Sequence, residues 1–144
     1  MNAPPDWQIR VMSPVDYDAV IALWRATEDL GLSAADERDA VAAYLARNPG
    51  MSFVAIAGPT IVGAVLCGHD GRRGTLHHLA VTPAWRRRGI GRALVDGSLA
   101  QLTAAGIAKC NLFLYSHNAT GREFWRQNGW SAREDLVVVQ RSLD

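Results

Sequence analysis

The sequence predicts an α/β domain in which a mixed central sheet is flanked by helices on both sides. Apolar residues recur at helical spacing in several segments, and short apolar runs bounded by glycine and proline turns indicate strands between them. These segments follow the order β-α-α-β-β-β-α-β-α-β. The length of 144 residues and the hydrophobic content of 49% fit a single domain over residues 1–144, with its core in about 7–144.

The first half of the chain is predicted to contain one strand, two helices and a three-stranded meander. Ser13 as cap, Pro14 at the first helical position and Asp16 in a capping box predict the start of the first helix. Glycine-containing turns separate the strands of the meander. In chain order, the elements are a strand at 7–12, a helix after Ser13, a loop at 27–35, a helix at 36–47, and strands at 52–57, 60–69 and 75–81.

The second half is predicted to alternate helices with strands. The helix that begins after Gly89 ends near Gly106, and the next helix is stopped by Gly129. The strand between these helices is strongly apolar, which predicts burial on both faces. The elements after Gly106 are a strand at 109–115, a helix at 118–128 and a final strand at 136–139.

Charge and cysteine content exclude several classes of protein. The formal net charge is +1, and there is no flexible basic arm, so we expect no nucleic-acid partner. No apolar run reaches 18 residues and the N-terminus has no signal core, which predicts no membrane partner and a cytoplasmic protein. Cys67 and Cys110 lie in apolar runs and are expected to be buried, reduced thiols.

Residues 86–93 have the composition of a site for a phosphorylated ligand. They follow an apolar strand, open a helix and contain four arginines and two glycines. Helix N-termini carry unpaired N–H groups and partial positive charge, and glycines let the backbone approach a phosphate. A Walker A loop is excluded because the only lysine is Lys109, and a dinucleotide fingerprint is excluded because Leu94 replaces its third glycine. We therefore predict a pyrophosphate site.

The pattern Leu-Ala-Val-x-Pro followed by Arg-x-x-Gly-x-Gly resembles the acyl-CoA-binding signature of the GNAT N-acetyltransferases. The resemblance implies the GNAT fold, acetyl-CoA as co-substrate and no metal. It also implies that backbone N–H groups near Leu79 stabilise the oxyanion and that Val81 pairs with the pantetheine amides. The cofactor-binding residues implied in this segment are Leu79, Ala80, Val81, Arg86, Arg87, Arg88, Gly89, Ile90, Gly91 and Arg92.

Residues 118–130 resemble a second GNAT segment. The resemblance implies that Asn118 bonds the pantetheine arm and that Phe124 lines its channel, whereas a helix cap and a core residue are the structural alternatives. Trp125 stands where many relatives carry the tyrosine that protonates the leaving thiolate. An indole N–H donates a hydrogen bond but does not release its proton near neutral pH. Trp125 therefore packs or binds the thiolate, and Tyr115 or water would supply the proton.

Amine acetylation also requires a base, because an ammonium must lose a proton before it attacks. His77 and His78 lie on the strand that leads to the cofactor loop, and strand alternation lets at most one face the cleft. We prefer His77, which by register shares a face with Leu79 and with Thr75, the position of a common GNAT catalytic glutamate. Glu28, in the loop beside the expected acceptor site, is the candidate for binding a cationic amine, together with Asp29.

The sequence therefore predicts an acetyl-CoA-dependent N-acetyltransferase that acts on a primary amine by direct attack. A sensor that binds acetyl-CoA without turnover is the alternative, motivated by Trp125 and Thr75. The acceptor, a small molecule or a peptide N-terminus, is left open. The final apolar segment at 136–139 fits either a core strand or the edge of a homodimer.

Overall fold

The computed structural model describes residues 6–143 of the chain. Residues 1–5, in the segment predicted to lack a signal core, and residue 144 lie outside the described part. The chain divides into two compact units, Met1–Phe113 and Leu114–Asp144.

The first unit contains the sheet and three helices, as the element order predicts. Its strands occur in the spatial order β1-β2-β3-β4-β5; the first three pairs are antiparallel, and β4 with β5 is parallel. The sheet is therefore mixed, which confirms the predicted fold class. Its elements are β1 Gln8–Val11, α1 Tyr17–Arg25, α2 Arg38–Arg47, β2 Phe53–Ala57, β3 Thr60–His69, β4 Gly74–Val81, α3 Ile90–Ala104 and β5 Cys110–Leu112.

Helices cover both faces of this sheet. On one face, Trp24 of α1 and Val41 of α2 pack into a core with Leu66 of β3 and Ala80 of β4. On the other face α3 lies so close that a Cβ at Gly63 would stand 3.1 Å from the side chains of Ile90 and Leu94. Each strand therefore alternates between two apolar layers, and burial of these layers is the main contribution to stability.

The predicted capping box at the start of the first helix is present. The Asp16 carboxylate accepts a hydrogen bond of 2.8 Å from the Ser13 backbone N–H. The two terminal nitrogens of the Arg10 guanidinium, Nη1 and Nη2, also donate to this carboxylate, at 2.8 Å each. Because Arg10 belongs to β1, this carboxylate joins the first strand to the turn Pro14–Asp16 that precedes α1.

The second unit contains α4, Ala119–Gln127. The strand predicted at 136–139 is absent from the described residues, and Leu136, Val137, Val138 and Val139 are 60–89% exposed. The strand predicted at 109–115 shortens to Cys110–Leu112, and Phe113 is 67% exposed, so burial on both faces is also wrong. Both predictions fail because they rested on apolar character alone. An apolar segment forms a strand only where a neighbouring strand accepts its hydrogen bonds, and the sheet ends at β5.

None of the helices among residues 6–143 is long and apolar enough to cross a lipid bilayer.

Candidate active site

The segment between β4 and α3 has the geometry of an anion site. Gly89 precedes α3 with φ +82°, and a Cβ built there would meet nothing within 4 Å. The first helical hydrogen bond runs from the Ala93 N–H to the Gly89 carbonyl at 3.0 Å. The N–H groups of Ile90, Gly91 and Arg92 therefore have no acceptor within the helix and remain available to an oxyanion.

The arginines of this loop are exposed, and three of them have local partners. The Arg86 Nε donates to the Val81 carbonyl at 3.0 Å, which ties the loop to the end of β4. The Arg88 guanidinium lies 4.5 Å from the centroid of the Trp85 ring, and Arg92 lies 3.8 Å from Asp96 on the next turn of α3. Arg87 adopts φ +62°, so the chain bends sharply before Gly89. These guanidinium groups give the segment between β4 and α3 a local excess of positive charge.

Ile90 differs from its neighbours in this loop. Its side chain is 1% exposed and packs in the core, so only its backbone N–H is available to a ligand. The hydrophobic side chain anchors the first turn of α3 against the sheet.

The outer edge of β4 is free beside the loop. Pairing with β5 covers Gly74, Leu76 and the residue between them, and it ends at Leu76 with Leu112. Beyond that point, Ala80 and Val81 pair only with β3 among the described residues, and Leu79, in the irregular part of β4, has no paired residue there on either side. An extended ligand can add to such an edge through backbone hydrogen bonds.

A β-bulge corrects the predicted arrangement of the two histidines. Pairing between β3 and β4 shifts register between Ala64 and Leu66, and His78 has φ +56°. His77 pairs with Leu66 and Ala80 pairs with Ala64, so both lie on the face of the sheet that carries α1 and α2. The His78 ring lies on the same face, 5.0 Å from the Trp24 ring.

The expectation that at most one histidine faces this side is therefore wrong. Strand alternation fails because the bulge inserts an extra residue. His77 still shares its face with Thr75, because the cross-strand partner of Thr75, Gly68, lies against Tyr44. The position on this face that was predicted for Leu79 is occupied by Ala80.

His78 is held by a buried carboxylate. Its Nε2 lies 2.8 Å from Oδ1 of Asp36, whose side chain is 7% exposed. The other oxygen of Asp36 accepts the Ser33 N–H at 2.9 Å, and the Asp36 carbonyl accepts the Tyr17 hydroxyl at 2.6 Å. The segment between α1 and α2 is thus fixed to the bulge of β4.

His77 has aromatic neighbours instead. The Tyr44 ring lies 6.0 Å away edge-on, and the Phe113 ring is stacked at 6.4 Å. Burial and the nearby His78 lower the pKa of His77 below its ordinary value of 6.5, while Asp36 opposes this effect. The imidazole of His77 is therefore neutral at pH 7.

The acidic loop residues are at the surface. Glu28 is exposed and forms no hydrogen bond or ion pair with the residues that the structure describes. Asp29 has φ +57° at the same turn. No contact joins Glu28 to either histidine, so the structure leaves it as a charge that a mobile cation could reach.

In the second unit, Asn118 caps α4. Its side-chain oxygen accepts the Gly121 N–H at 2.9 Å, the structural role that the sequence leaves open beside ligand binding. Phe124 and Trp125 are half-buried and in edge-to-face contact at 5.0 Å, and Trp125 makes a similar contact with Trp130. Tyr115 is 51% exposed and stacks on His117 at 5.4 Å.

Sequence reasoning missed the partnership of His78 with Asp36, because Asp36 was interpreted as the first residue of a helix. The available signal was the spacing Ser33-x-x-Asp36, which forms a capping box and so fixes the carboxylate before α2 begins. Among the described residues there is no group of three or more His, Cys, Asp or Glu side chains that could hold a metal ion.

Comparison with known proteins agrees with this geometry. The model of the acetyltransferase (GNAT) family matches residues 17–130. An acetyltransferase of Yersinia pestis (strain Pestoides F) is 34% identical over 136 residues, which cover 94% of this chain and 96% of the relative.

Solved structures share the fold at lower identity. The PaiA N-acetyltransferase of Thermoplasma acidophilum, in complex with coenzyme A, has a TM-score of 0.77 at 18% identity and covers 88% of this chain and 91% of its own. An aminoglycoside acetyltransferase from a soil metagenomic sample, in complex with sisomicin, has a TM-score of 0.75 at 20% identity and covers 96% and 97%. With the family model matching most of its length, the chain belongs to the GNAT family of acetyltransferases.

Proposed function

We propose that this protein transfers the acetyl group of acetyl-CoA to a primary amine by direct attack on the thioester. The observation that carries the proposal is the N-terminus of α3, where three free N–H groups follow an open glycine among exposed arginines. The site has the charge and the open space that a pyrophosphate requires. The likeness to a coenzyme A complex of the same fold supports this choice of co-substrate.

Each part of β4 and its loop has a distinct task in this reaction. The N–H groups of Ile90, Gly91 and Arg92 bind the pyrophosphate, and the free edge of β4 near Val81 pairs with the pantetheine amides. Backbone N–H groups near Leu79 donate to the thioester oxygen as negative charge develops on it. The thioester supplies an activated acetyl group, because a thiolate is a good leaving group.

Proton removal from the acceptor falls to the histidine pair of β4. A neutral imidazole accepts a proton from an ammonium group that has entered the site, and the resulting amine is the nucleophile. Both rings lie on the α1–α2 face, His78 against Trp24 and His77 against Tyr44.

The roles proposed for the second unit come from the family resemblance. Asn118 binds the pantetheine arm in addition to capping α4, and Phe124 and Trp125 form an apolar wall for it. Trp125 cannot protonate the departing thiolate, so Tyr115 or water supplies that proton.

The acceptor we propose is a cationic amine. Glu28 has no cationic partner among the described residues, and Asp29 adds a second carboxylate to the same turn. The aminoglycoside acetyltransferase of the same fold, which is in complex with sisomicin, supports this choice of acceptor class. We expect Glu28→Gln to raise KM about threefold for a dication and to leave KM for a monocation nearly unchanged. Equal KM changes for both amines, measured by steady-state kinetics, would argue against this role.

The proposed function is tested by titration calorimetry with acetyl-CoA, followed by a free-thiol assay over a panel of peptide α-amines, lysine, polyamines and aminoglycosides. Saturable binding with thiol release for one amine class is the expected result. Binding without release above the rate of hydrolysis would favour the acetyl-CoA sensor. Absence of binding would refute the pyrophosphate site.

A further inference from the structure

The bulge in β4 turns two adjacent histidines toward one side, but it gives them different surroundings. His77 lies between the rings of Tyr44 and Phe113, and no carboxylate of residues 6–143 is in hydrogen-bond contact with it. His78 is bonded to Asp36 and packs against Trp24. Only one of the two imidazoles therefore has a group that fixes its orientation.

Asp36 is itself fixed from several directions. The Ser33 N–H and the Tyr17 hydroxyl bind its second carboxylate oxygen and its carbonyl, which leaves Oδ1 directed at His78. A carboxylate is an acceptor, so Nε2 of His78 must carry the proton of the neutral ring. The lone pair of the neutral imidazole is then on Nδ1.

Nδ1 of His78 is accessible to a ligand. It forms no hydrogen bond with the described residues. In the part of the chain that the structure describes, the fully buried side-chain nitrogen or oxygen without a hydrogen-bond partner is the Trp24 Nε1. Because Nδ1 of His78 also lacks a hydrogen bond but is not such an atom, it is not fully buried. The ring nitrogen without a hydrogen bond thus belongs to a half-buried side chain that is 17% exposed.

The backbone at His78 is in the left-handed region, with φ +56°. A residue with a side chain adopts this conformation at an energetic cost, and such residues cluster at functional sites where the surrounding structure enforces them. Without the bulge, strand alternation would place His78 on the face opposite to His77, away from Asp36. The strained residue is therefore what brings the imidazole to the carboxylate.

We propose that His78, oriented by Asp36, is the base that takes the proton from the acceptor ammonium; this assignment rests on the proposed acetyl transfer. Nδ1 accepts one proton and His78 becomes an imidazolium, which the Asp36 carboxylate stabilises. The freed nitrogen lone pair forms the C–N bond to the acetyl carbon while the C–S bond breaks. The sulfur leaves with its electron pair as a thiolate. The attacking nitrogen loses its second proton to water, Tyr115 or water protonates the thiolate, and the imidazolium returns its proton to solvent.

The groups that face His78 favour this role. Asp36, on the segment before α2, is the charged group that contacts the ring, and His77 of β4 is 6.1 Å away between ring centroids. Trp24 of α1 is uncharged. A carboxylate on one nitrogen and a lone pair on the other resemble the Asp–His pair of nucleophilic catalysis, with the roles of the two ring nitrogens exchanged. His77 serves as packing between two aromatic rings.

The test uses His78→Gly, because glycine is comfortable at φ +56° and the variant removes the ring without straining the bulge. Loss of a general base is expected to lower kcat by about 100-fold. Added imidazole is expected to restore turnover in proportion to its concentration, after subtraction of the rate without enzyme. His78→Asn, which also tolerates positive φ, is the second variant and should show the same loss.

His77→Gly is the matched control, with the same ring removed one residue earlier. It is expected to respond to added imidazole no more than the wild type does. Asp36→Asn removes the charge and leaves the size of the side chain unchanged. We expect this variant to have a kcat about tenfold lower than wild type and a displaced acidic limb of the pH–kcat profile. Its affinity for acetyl-CoA is expected to stay within about twofold of wild type. A purely structural role of Asp36 would not move the pH limb.

The outcomes separate this assignment from the proposed function. Rescue of His77→Gly but not of His78→Gly, or wild-type kcat in both His78 variants, would overturn the assignment while acetyl transfer stood. A wild-type protein that binds acetyl-CoA but acetylates no amine would overturn the proposed function and the assignment with it. Loss of acetyl-CoA binding in His78→Gly would show a structural role and would also overturn the assignment.

Discussion

At the scale of single residues, identical side chains differ in chemistry because their partners differ. His77 and His78 are neighbours in sequence and lie on the same face, yet burial among aromatic rings makes one a weaker base and a carboxylate orients the other. Residue type alone predicts a titratable group near neutral pH, and the environment then decides what that group can do.

The lowered pKa of His77 predicts a pH dependence of stability. The folded pKa lies below the ordinary value of 6.5, so the unfolded chain binds the proton more tightly. The contribution of His77 is thus complete above about pH 6.5 and declines as the pH falls toward the folded pKa. An NMR titration of the imidazole should give a midpoint below 6.5. A midpoint at or above that value would contradict the burial argument.

The Asp16 carboxylate predicts a second effect on stability. Its hydrogen bonds from Arg10, and that from Ser13, hold its pKa below 3.8. Asp16→Asn is expected to lower the free energy of unfolding by about 2 kcal/mol at pH 7, measured by urea denaturation. The difference from wild type should shrink as the pH falls through the lowered pKa, because protonation then removes the same interaction.

Asp18→Asn is the control for this measurement, because Asp18 pairs with Arg38 but is 82% exposed. Asp18→Asn should lower the free energy of unfolding by less than about 1 kcal/mol. An equal loss in both variants would show that burial of Asp16 does not matter.

At the scale of elements, the start of α3 combines three properties that a single residue could not supply. A buried Ile90 anchors the first turn, Gly89 turns the chain with positive φ, and the free N–H groups of the turn point in one direction. The exposed arginines add charge, and Arg86 also ties the loop to the end of β4 through the Val81 carbonyl.

Gly89→Asp tests the element. A carboxylate at this position would repel the pyrophosphate and occupy its space, so acetyl-CoA affinity should fall by at least about 100-fold by calorimetry. Gly106→Asp, at the other end of α3, is matched in conformation, with φ +81° against +82° and nothing within 4 Å of the added Cβ. Both variants carry the strain of positive φ, but only Gly89→Asp should lose binding. Equal affinities in the two would mean that the loop does not bind the cofactor.

At the scale of the whole molecule, the sheet and its two helical layers form the part that carries the candidate site. Binding of acetyl-CoA to the folded state should therefore stabilise the chain by mass action. At a ligand concentration of 100 Kd the gain is about 2.7 kcal/mol, which for a chain of 144 residues corresponds to a rise in Tm of about 8 °C.

This thermal shift is measured by differential scanning calorimetry with and without acetyl-CoA. Gly89→Asp is expected to show almost no shift at the same concentration, whereas Gly106→Asp should respond as the wild type does. A shift of the same size with free adenine nucleotide and with pantetheine alone would contradict a site that engages both ends of the cofactor.

The sequence by itself determined the fold class and the family, and it predicted the position of the proposed cofactor loop. These depend on local signals: helical periodicity in α1, the Ser13 cap, and a glycine followed by a helix at Gly89, each of which is specified within a few residues. The final strand at 136–139 was predicted wrongly because apolar character is local, whereas a strand needs a partner elsewhere in the chain.

Only the tertiary structure decided which side of the sheet the histidines face. A β-bulge arises from the register of β3 against β4, and one inserted residue reverses the face of every position on one side of it. The pairing of His78 with Asp36 joins residues that are 42 positions apart, and no spacing rule connects them. The location of the site was therefore local information, while the arrangement of its proton-accepting groups depended on long-range packing.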